Sequence, residues 1–545
     1  MLPSDGAQKI NHRPASDNAL STPSLRDLRA QGWDGKNPDL QPSWAVAPAE
    51  IRTRSRLALT VVCTAALFFI SGCKPVGPNY SRPNYTAPPT YKETGASTVQ
   101  VPLAPPPNPT GGGWQPATPA DGMLKGKWWE IYQDPQLNAL EDRIAGYNQA
   151  VHQALETYLA AQDQEKAARA TLYPTLSAGP GFTHYSNSKN KPLVTSSSTT
   201  NYNDLTLIGT VGWEPDFWGR IRRTVEQAHE FSQADAADMA NISLSLQASM
   251  ATDYFQVRGL DSETKLLREV VTNLEHQLDL AKRLRAGGVD TEADVAEAQT
   301  QLDTVRAQLV DIGVARAQYE HAVGTIADYK LPTFSIPFSP LDLKLPQVPL
   351  GIPSQLLQRR PDIAASERRT AAANAQIGIA VSAFYPTIDL TGQGGFESTH
   401  GGTWIQGPSA LWSLGAQATE LLFDAGQRHA LSDQARRQYD AQVSSYKGVI
   451  FLAFEDVEDQ LSSLRILEQE SAAEQKAVDS AQHSFDISNL RFKGGVTSYL
   501  SVLTAEAALI QDQRTAIDLQ TRQFVSSVGL VRSLGGGWDA SQLPK

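Results

Sequence analysis

The sequence is poor in cysteine and has no excess of basic residues. Its two cysteines, Cys63 and Cys73, lie in or next to one apolar run, so the rest of the chain has neither a disulfide framework nor a cysteine metal site. Lysine and arginine (47) are outnumbered by aspartate and glutamate (58), which gives a net charge of -11. A nucleic-acid partner is not expected, because phosphate binding needs clustered basic side chains.

Catalytic signatures are also missing. The 9 histidines are scattered, and no HExxH, GxSxG or P-loop pattern occurs. Such patterns bring together metal ligands, a nucleophile or phosphate-binding amides. The sequence therefore predicts neither an enzyme nor a protein with a bound cofactor.

One apolar run is present near the N-terminus. Three arginines within 52–56 precede residues 57–70, an uncharged stretch of 14 residues, shorter than the ~20 residues of a membrane-spanning helix. We predict a signal peptide over 51–72. The run ends in Ile-Ser-Gly-Cys73, which resembles a bacterial lipobox and implies a diacylglycerol and an N-acyl chain on Cys73. In the alternative, an ordinary secretory signal, Cys73 is incidental.

The regions on either side of this signal are polar. Residues 1–50 are predicted to be a dispensable extension, or the result of a start codon chosen too early. Residues 73–122 are rich in Pro and Gly and have too little apolar content to bury a core. We predict a lipidated tether there.

A self-similar stretch dominates the remaining chain. KRLRAGGVDTEADVAEAQTQL has its turn at Gly287 and Gly288, and NLRFKGGVTSYLSVLTAEAAL has its turn at Gly494 and Gly495, 207 positions later. Self-similarity at a fixed offset is the signature of a repeat. The chain is predicted to be an internal duplication.

A long helical pattern precedes each turn. The runs 220–286 and 427–493 have 67 residues each, which corresponds to about 100 Å of α-helix. Two further helices, the first over about 136–172, are predicted to stop at Tyr173-Pro174 and Tyr385-Pro386, because proline disfavours helix for its predecessor. The predicted organisation is a first repeat (123–328), a Pro-rich inter-repeat strap (329–353), a second repeat (354–535) and a flexible C-terminus (536–545).

After each Tyr-Pro stop the period changes to two. The four segments TLSAGPGFTHYS, DLTLIGTVGWEP, TIDLTGQGGFES and ALWSLGAQATEL alternate apolar and polar residues. In the second segment Leu205, Leu207 and Val211 oppose Asp204 and Thr206. Such segments of about 10 residues are typical of transmembrane β-strands, although a soluble sheet with one wet face has the same pattern.

Four strands cannot close alone into a barrel in lipid, because open edges would leave backbone groups unpaired. Two copies would give a filled eight-strand barrel, whereas three give twelve strands and room for an aqueous lumen. The sequence therefore predicts a homotrimer. Small and polar residues all round the long helices fit a hollow helical cylinder, and a solvated coiled coil is the alternative.

Four motifs carry a family resemblance: VGPNYSRP (76–83), WWEIYQDPQL (128–137), RRPDI (359–363) and RFKGGVTSYLSVLTAE (491–506). With the lipobox, they identify the chain as a member of the outer membrane factor family, most similar to the lipoprotein subunits of resistance-nodulation-division efflux systems. The resemblance implies an α+β membrane protein of the Gram-negative outer membrane. A trimeric twelve-strand barrel would continue into a twelve-helix periplasmic α-barrel, docked on an adaptor protein and an inner-membrane pump.

The resemblance places both Gly-Gly turns at the periplasmic tip. We predict an adaptor contact formed by exposed residues there, namely Gly287, Gly288, Val289, Gly494, Gly495, Val496, Thr497, Ser498 and Tyr499. Some family members close the tip with carboxylate rings, but the matching positions here are Ser501 and Thr504. Ser501 and Thr504 remain gate candidates. The other gate candidates are charged residues beside the turns that could form ion pairs with neighbouring helices, namely Arg285, Asp290, Asp294 and Arg491.

Two other functions remain open at this stage. A type I protein-secretion duct would share the fold, and a non-conducting periplasmic scaffold would require the four alternating segments to be soluble.

Overall fold

The computed structural model describes residues 74–94, 126–188, 201–288, 291–350 and 353–544. All of them belong to one compact unit that begins at Cys73. The predicted extension, signal peptide and lipidation site Cys73 lie outside the described residues, as do Val289 and Asp290 of the tip. Within the described ranges, none of the helices combines the length and the apolar character that crossing a bilayer requires.

The elements repeat in two sets. The first set is α1 (Pro135–Tyr147), α2 (Gln149–Ala170), β1 (Thr175–Ser186), β2 (Asn201–Trp213), α3 (Arg220–Ala286) and α4 (Glu292–Ile326). The second set is α5 (Pro353–Arg359), α6 (Pro361–Ser382), β3 (Thr387–Ser398), β4 (Ala410–Thr419), α7 (Gln427–Lys493) and α8 (Tyr499–Ser533). Short 3-10 turns occur at Lys92–Thr94, Trp128–Tyr132, Leu331–Thr333, Gly401–Thr403, Gly407–Ser409 and Ala540–Gln542.

The two long helices have the predicted bounds. Each begins after a glycine in the left-handed conformation, Gly219 (φ 81°) and Gly426 (φ 88°), which a side chain would strain. Asp216 accepts the backbone N–H groups of Ile221 and Arg222 at 3.0 and 2.9 Å and so satisfies free amides of the first turn of α3. Asp424 caps the start of α7 in the same way. Local sequence therefore specifies both helix starts.

The helix predicted over 136–172 is two helices. α1 ends and α2 begins at Asn148, whose side-chain oxygen accepts the N–H groups of Ala150 and Val151. Its amide nitrogen donates to the carbonyl of Ile326 at the end of α4, 2.8 Å away. Asparagine is a favoured N-cap, and the contact with α4 holds the break in place.

The helices form a sheet-like layer. α2 packs against α3, α3 against α6, and α6 against α7. α4 and α8 lie beside the C-terminal parts of α3 and α7, which lead into the Gly-Gly turns. One core cluster is aromatic, with Tyr132, Phe255 and Phe524 in mutual ring contact. A second cluster of Leu and Val residues lies between α3, α4 and the start of α8.

The inter-repeat strap is fixed to α3 and α4 by a buried ion network. The carboxylate of Asp261, fully buried, lies 3.2 Å from the guanidinium of Arg258 and 2.7 Å from that of Arg316. It also accepts the backbone N–H of Ser339 in the strap, and Arg316 donates to the carbonyl of Ile336. The strap therefore satisfies groups that the helices bury.

The described part of the predicted tether, residues 74–94, is packed on the helices. Buried Arg223 of α3 donates to the carbonyls of Val76 and Gly77. A Cβ on Gly77 would lie 2.5 Å from the Cα of Gly378 in α6, so only glycine allows this approach. Tyr91 is 2% exposed. The low apolar content predicts a free tether, but these polar contacts order the segment.

The C-terminal residues are packed as well, whereas the sequence predicts a flexible end. The side chains of Trp538 and Leu543 contact an alanine cluster of α3 and α6. The carbonyl of Pro544 accepts a hydrogen bond from Gln233, and three consecutive glycines from Gly535 have positive φ. These glycines allow the chain to turn back onto the helices.

Candidate channel wall and tip

The four strands form one antiparallel sheet in the order β1-β2-β3-β4. All four strands predicted from alternation are present. Cross-strand partners share a face of the sheet, and successive residues point to opposite faces. Two adjacent rows are Ser177, Thr210, Gln393 and Ser413, then Leu176, Val211, Gly392 and Leu414. In these two rows, one face is polar across all four strands and the other is apolar.

The apolar face is uncovered in the single chain. Leu176, Trp412 and Leu414 are 77%, 78% and 80% exposed. In the described sheet, β1 and β4 each have a neighbour on one side only. An apolar face fits lipid, but unpaired edges do not, because hydrocarbon offers backbone groups no partner.

The helical layer has two open edges as well. Only one residue of α2, Ala154, is buried, although α6, its equivalent in the second repeat, is buried along most of its length. α7 contacts α6 and α8, and it leaves Leu452, Ile466 and Leu490 at least half exposed. The open edges of the sheet and of the helical layer coincide. On one side the exposed helix α2 leads into the edge strand β1, and on the other side the edge strand β4 leads into α7.

Aromatic residues mark the junction between strands and helices. Trp213 donates to the carbonyl of Leu172 at 3.0 Å, and Trp218 donates to that of Pro386 at 2.7 Å. Leu422 and Phe423, just after β4, are 87% and 83% exposed. Aromatic girdles at both ends of an apolar band are typical of outer-membrane barrels.

The Gly-Gly turns join the long helices to α4 and α8. In each turn only the second glycine has positive φ, 78° at Gly288 and 69° at Gly495, whereas Gly287 and Gly494 have negative φ, which other residues can adopt. Val496 donates its N–H to the carbonyl of Arg491 at 2.9 Å, a C-terminal capping bond. The turn requires glycine at one position of each pair.

The predicted adaptor-contact residues are not equally accessible. Val496 is 77% exposed, and Thr497 and Ser498 lie beside it at the surface. Tyr499 is predicted to be exposed, but it is only 5% exposed. Its ring packs against that of Phe492, and its hydroxyl donates to Gln277 of α3 at 2.7 Å. Tyr499 is therefore part of the packing behind the turn.

The charged gate candidates make contacts within their own turn. Arg285 pairs with Glu292 across the first turn, and both side chains are exposed. Asp294 forms a capping box with Thr291, in which each side chain accepts the other residue's backbone N–H. Hydrogen bonds from Thr291 hold the pKa of Asp294 below its usual value. Asp294 therefore acts first as a helix cap.

The second turn differs. Arg491 is exposed and has no ion-pair partner among the described residues. Thr497 donates to Ser501 at 2.9 Å, and Thr504 donates to the carbonyl of Leu500. Ser501 and Thr504 therefore make hydroxyl contacts where the resemblance would place carboxylates.

A buried polar cluster near the tip was not predicted. Glu506 of α8 is 4% exposed, and both its oxygens accept from the Gln277 amide at 3.1 Å. Burial raises the pKa of Glu506, and the hydrogen bond from Gln277 opposes the rise. With Tyr499, this cluster joins the first helical hairpin to the second. The sequence signal was a lone acid within the apolar stripe of α8.

Comparisons with known proteins agree with this geometry. The chain matches the outer membrane efflux protein family over residues 140–327 and 352–536. It is 29% identical over 490 residues to the antibiotic efflux pump outer membrane protein ArpC of Pseudomonas putida, covering 89% of this chain and 96% of that protein. It is 30% identical over 415 residues to the solvent efflux pump outer membrane protein SrpC of the same species, covering 76% and 88%.

Solved structures show the same fold. The outer-membrane channel OprN superimposes with a TM-score of 0.76 at 26% identity, over 85% of this chain and 99% of that one. The outer membrane protein VceC of Vibrio cholerae has a TM-score of 0.71 at 25% identity, over 76% and 100%. The predicted fold class, a trimeric β-barrel continued by an α-barrel with four strands from each chain, is confirmed. The chain belongs to the outer membrane efflux protein family and is an outer-membrane channel subunit of an efflux system.

Proposed function

We propose that three copies of this chain form a conduit that takes small molecules from a resistance-nodulation-division pump, through a periplasmic adaptor protein, to the outside. The observation that carries the proposal is the polar row across a sheet with two unpaired edges. If three such sheets join edge to edge into a barrel, their polar faces can line its interior. We assign the chain no catalytic activity and no cofactor other than acyl chains.

The substrates of relatives support a conduit with little selectivity of its own. Similar proteins are named for antibiotic efflux, solvent efflux and pyoverdine export. These cargoes differ widely in size and polarity, so the pump is the natural source of selection. A wide hydrated passage imposes few specific contacts.

The tip is proposed as the adaptor contact, centred on Val496 with Thr497 and Ser498. An exposed valine at a helical turn offers apolar area to a partner. Val496→Asp should abolish efflux in cells that carry the adaptor and pump, while the purified trimer keeps its conductance in planar bilayers. Unchanged efflux would remove Val496 from the contact.

Cys73 is proposed as the lipid anchor. The support is positional, because Val76, three residues later, donates its N–H to the carbonyl of Trp218 in the strand–helix junction. An acyl chain attached nearby would meet the aromatic girdle of the membrane surface. Labelled palmitate should enter the wild-type protein and not Cys73→Ser. Labelling of neither would favour the ordinary secretory signal.

The gate is proposed to use Arg491, which has no ion-pair partner among the described residues. In the closed trimer it would latch onto an acid of a neighbouring helix, and an exposed pair is worth about 0 to 1 kcal/mol. A contact that weak suits a gate that a partner must open. Arg491→Ala should raise the conductance of the isolated channel, and an unchanged value would contradict the latch.

One experiment separates the competing functions. A strain that lacks its own outer-membrane channel would receive this chain with a cognate pump and adaptor, and purified protein would be tested in planar bilayers. Restored small-molecule resistance with ion conductance supports the proposal. Conductance with protein export only would indicate a type I duct, and the absence of conductance would indicate a scaffold.

A further inference from the structure

The internal duplication contains a template for the contact between subunits. Within one chain, α3 of the first repeat packs against α6 of the second. In a ring of identical chains, α7 of the second repeat would meet α2 of the next chain's first repeat in the same way. We infer that this contact between α7 and the next chain's α2, the subunit seam, repeats the α3–α6 contact within one chain, the α3–α6 seam. One charged pair has its signs exchanged between the two seams, and this exchange directs head-to-tail assembly. This inference rests on the proposed trimer.

The two offsets needed for the comparison are fixed by the structure. α3 and α7 have the same length and begin 207 positions apart, at Arg220 and Gln427. α2 and α6 also have the same length and end 212 positions apart, at Ala170 and Ser382. No insertion interrupts either helix, so one offset applies along each of them.

Two side-chain contacts mark the α3–α6 seam. Gln227 of α3 donates to the side-chain oxygen of Gln376 of α6 at 3.0 Å. Glu230 of α3 pairs with Arg368 of α6 at 2.9 Å. The two contacts lie about one helical turn apart on α3.

The equivalent positions at the open edges are complementary. Gln227 and Gln376 correspond to Gln434 of α7 and Gln164 of α2, again two glutamines. The pair Glu230 and Arg368 corresponds to Arg437 and Glu156, so an acid–base pair is kept with its signs exchanged. All four residues are exposed in the single chain.

Neither Glu156 nor Arg437 has an ion-pair partner among the residues described. Asp440, the counterpart of Gln233, lies one turn along α7 from Arg437. Gln233 accepts a hydrogen bond from Arg368 in the template, so Asp440 would lie beside Glu156, and Arg437 would be the cation near both carboxylates. A second charged contact of the template, between Arg369 and Asp238, is not kept, because its counterparts Thr157 and Ser445 are uncharged.

The reversed pair has a consequence for assembly. The open edge at α2 carries Glu156 and the open edge at α7 carries Arg437, so contact between two α2 edges or two α7 edges would bring like charges together. Only the head-to-tail contact pairs opposite charges. Contacts of this heterologous kind form closed rings, whereas symmetric contacts form dimers. Repulsion against the wrong partner is a common source of specificity.

Crosslinking tests the position of the seam. The mature double variant Gln164→Cys with Gln434→Cys, treated with a short bis-maleimide, should give covalent dimers and trimers that neither single variant gives. The matched control is Gln162→Cys with Gln434→Cys. Residue 162 corresponds to Asn374, which bonds to the carbonyl of Pro78 and not to α3, so this control should not crosslink. A trimer that crosslinks equally in both variants, or in neither, would overturn the seam and leave the channel proposal standing.

Charge exchange tests the direction of assembly. Glu156→Arg or Arg437→Glu should each weaken trimer formation by about two- to fivefold per seam, measured by native mass spectrometry in detergent. The double exchange should restore it. Equal weakening by single and double variants would contradict the pair, whereas a wild-type chain that never forms a trimer would contradict the proposed function itself.

Discussion

Two helices of this chain, α3 and α7, have the same length and the same place in their repeats, but different surroundings. α3 is covered by α2, α4, α6 and α8, whereas α7 contacts α6, α8 and part of the segment 74–94 and has far fewer buried residues. Four buried residues of α3, Tyr254, Phe255, Arg258 and Asp261, correspond to Leu461, Ser462, Arg465 and Glu468 of α7, and none of those four is buried. Helix formation follows from local sequence, but burial depends on neighbours, and the missing neighbours of α7 belong to another copy.

Removing an aromatic ring from α3 should have the largest effect. Phe255→Ala empties a fully buried site between Tyr132 and Phe524 and should cost about 3–5 kcal/mol of unfolding free energy. Its counterpart Ser462→Ala should change stability little. Denaturant unfolding in detergent, followed by circular dichroism, measures both. Equal losses would contradict the difference between the helices.

The buried ion network offers a second matched pair. Asp261→Ala leaves Arg258 and Arg316 without their shared carboxylate, and loss of one partner of a buried pair costs about 3–5 kcal/mol. The strap should also become more sensitive to protease. The counterpart Glu468→Ala removes an exposed charge and should stay within about 0.5 kcal/mol of wild type. A large effect of Glu468→Ala would show that α7 is covered in the folded chain.

Stability should depend on pH through Glu141 of the first repeat, for which the second repeat has Pro353, 212 positions later. Burial, and then the nearby charge of Asp142, raise the pKa of Glu141 from 4.5 to about 9. Glu141 of the folded chain keeps a proton that the unfolded chain releases above about pH 4.5. The free energy of unfolding should therefore fall as the pH rises from about 4.5 to about 9. Thermal unfolding at pH 5, 7 and 9 should show this slope for wild type and a smaller one for Glu141→Gln. The same slope in both would rule out Glu141 as its source.

The smallest difference lies between the two helix starts at the tip. Thr291 caps α4 in a capping box, whereas its counterpart Ser498 makes no side-chain cap bond at the start of α8. Thr291→Ala should cost about 1 kcal/mol, and Ser498→Ala should cost much less. Hydrogen exchange in the first turns of α4 and α8 measures the two effects separately. Equal acceleration in both would mean that the capping box adds nothing.

Much of the fold could be predicted because its signals are local. Alternation predicted the four strands, and the two long helices follow from caps and glycines that lie within a few residues of their ends. The break at Asn148 also had a local signal, since Gly146 and Asn148 are typical of a helix end and a helix start. It was missed because the apolar pattern continues through it.

The remaining features depend on contacts distant in sequence. Residues 74–94 look like a tether by composition, yet Arg223, Glu367 and Glu458 supply partners for their polar groups. Tyr499 looks exposed beside a turn, but Gln277, more than two hundred residues away, accepts its hydroxyl. Neither composition nor hydrophobic periodicity indicates such distant partners. A single polar residue in an apolar stripe, such as Glu506, is only a weak sign that a buried partner exists.

We infer that the polar face of the sheet lines an aqueous passage, which identical copies of the chain close. Neighbouring residues of β4 test it, because Ser413 lies on the polar face and Leu414 on the apolar one. Each would be replaced by Cys, and the purified channels would be exposed to a charged, membrane-impermeant thiol reagent during recording in planar bilayers. We expect the reagent to lower the conductance of Ser413→Cys and to leave that of Leu414→Cys unchanged. An equal response of the two variants, or a response of Leu414→Cys alone, would contradict it.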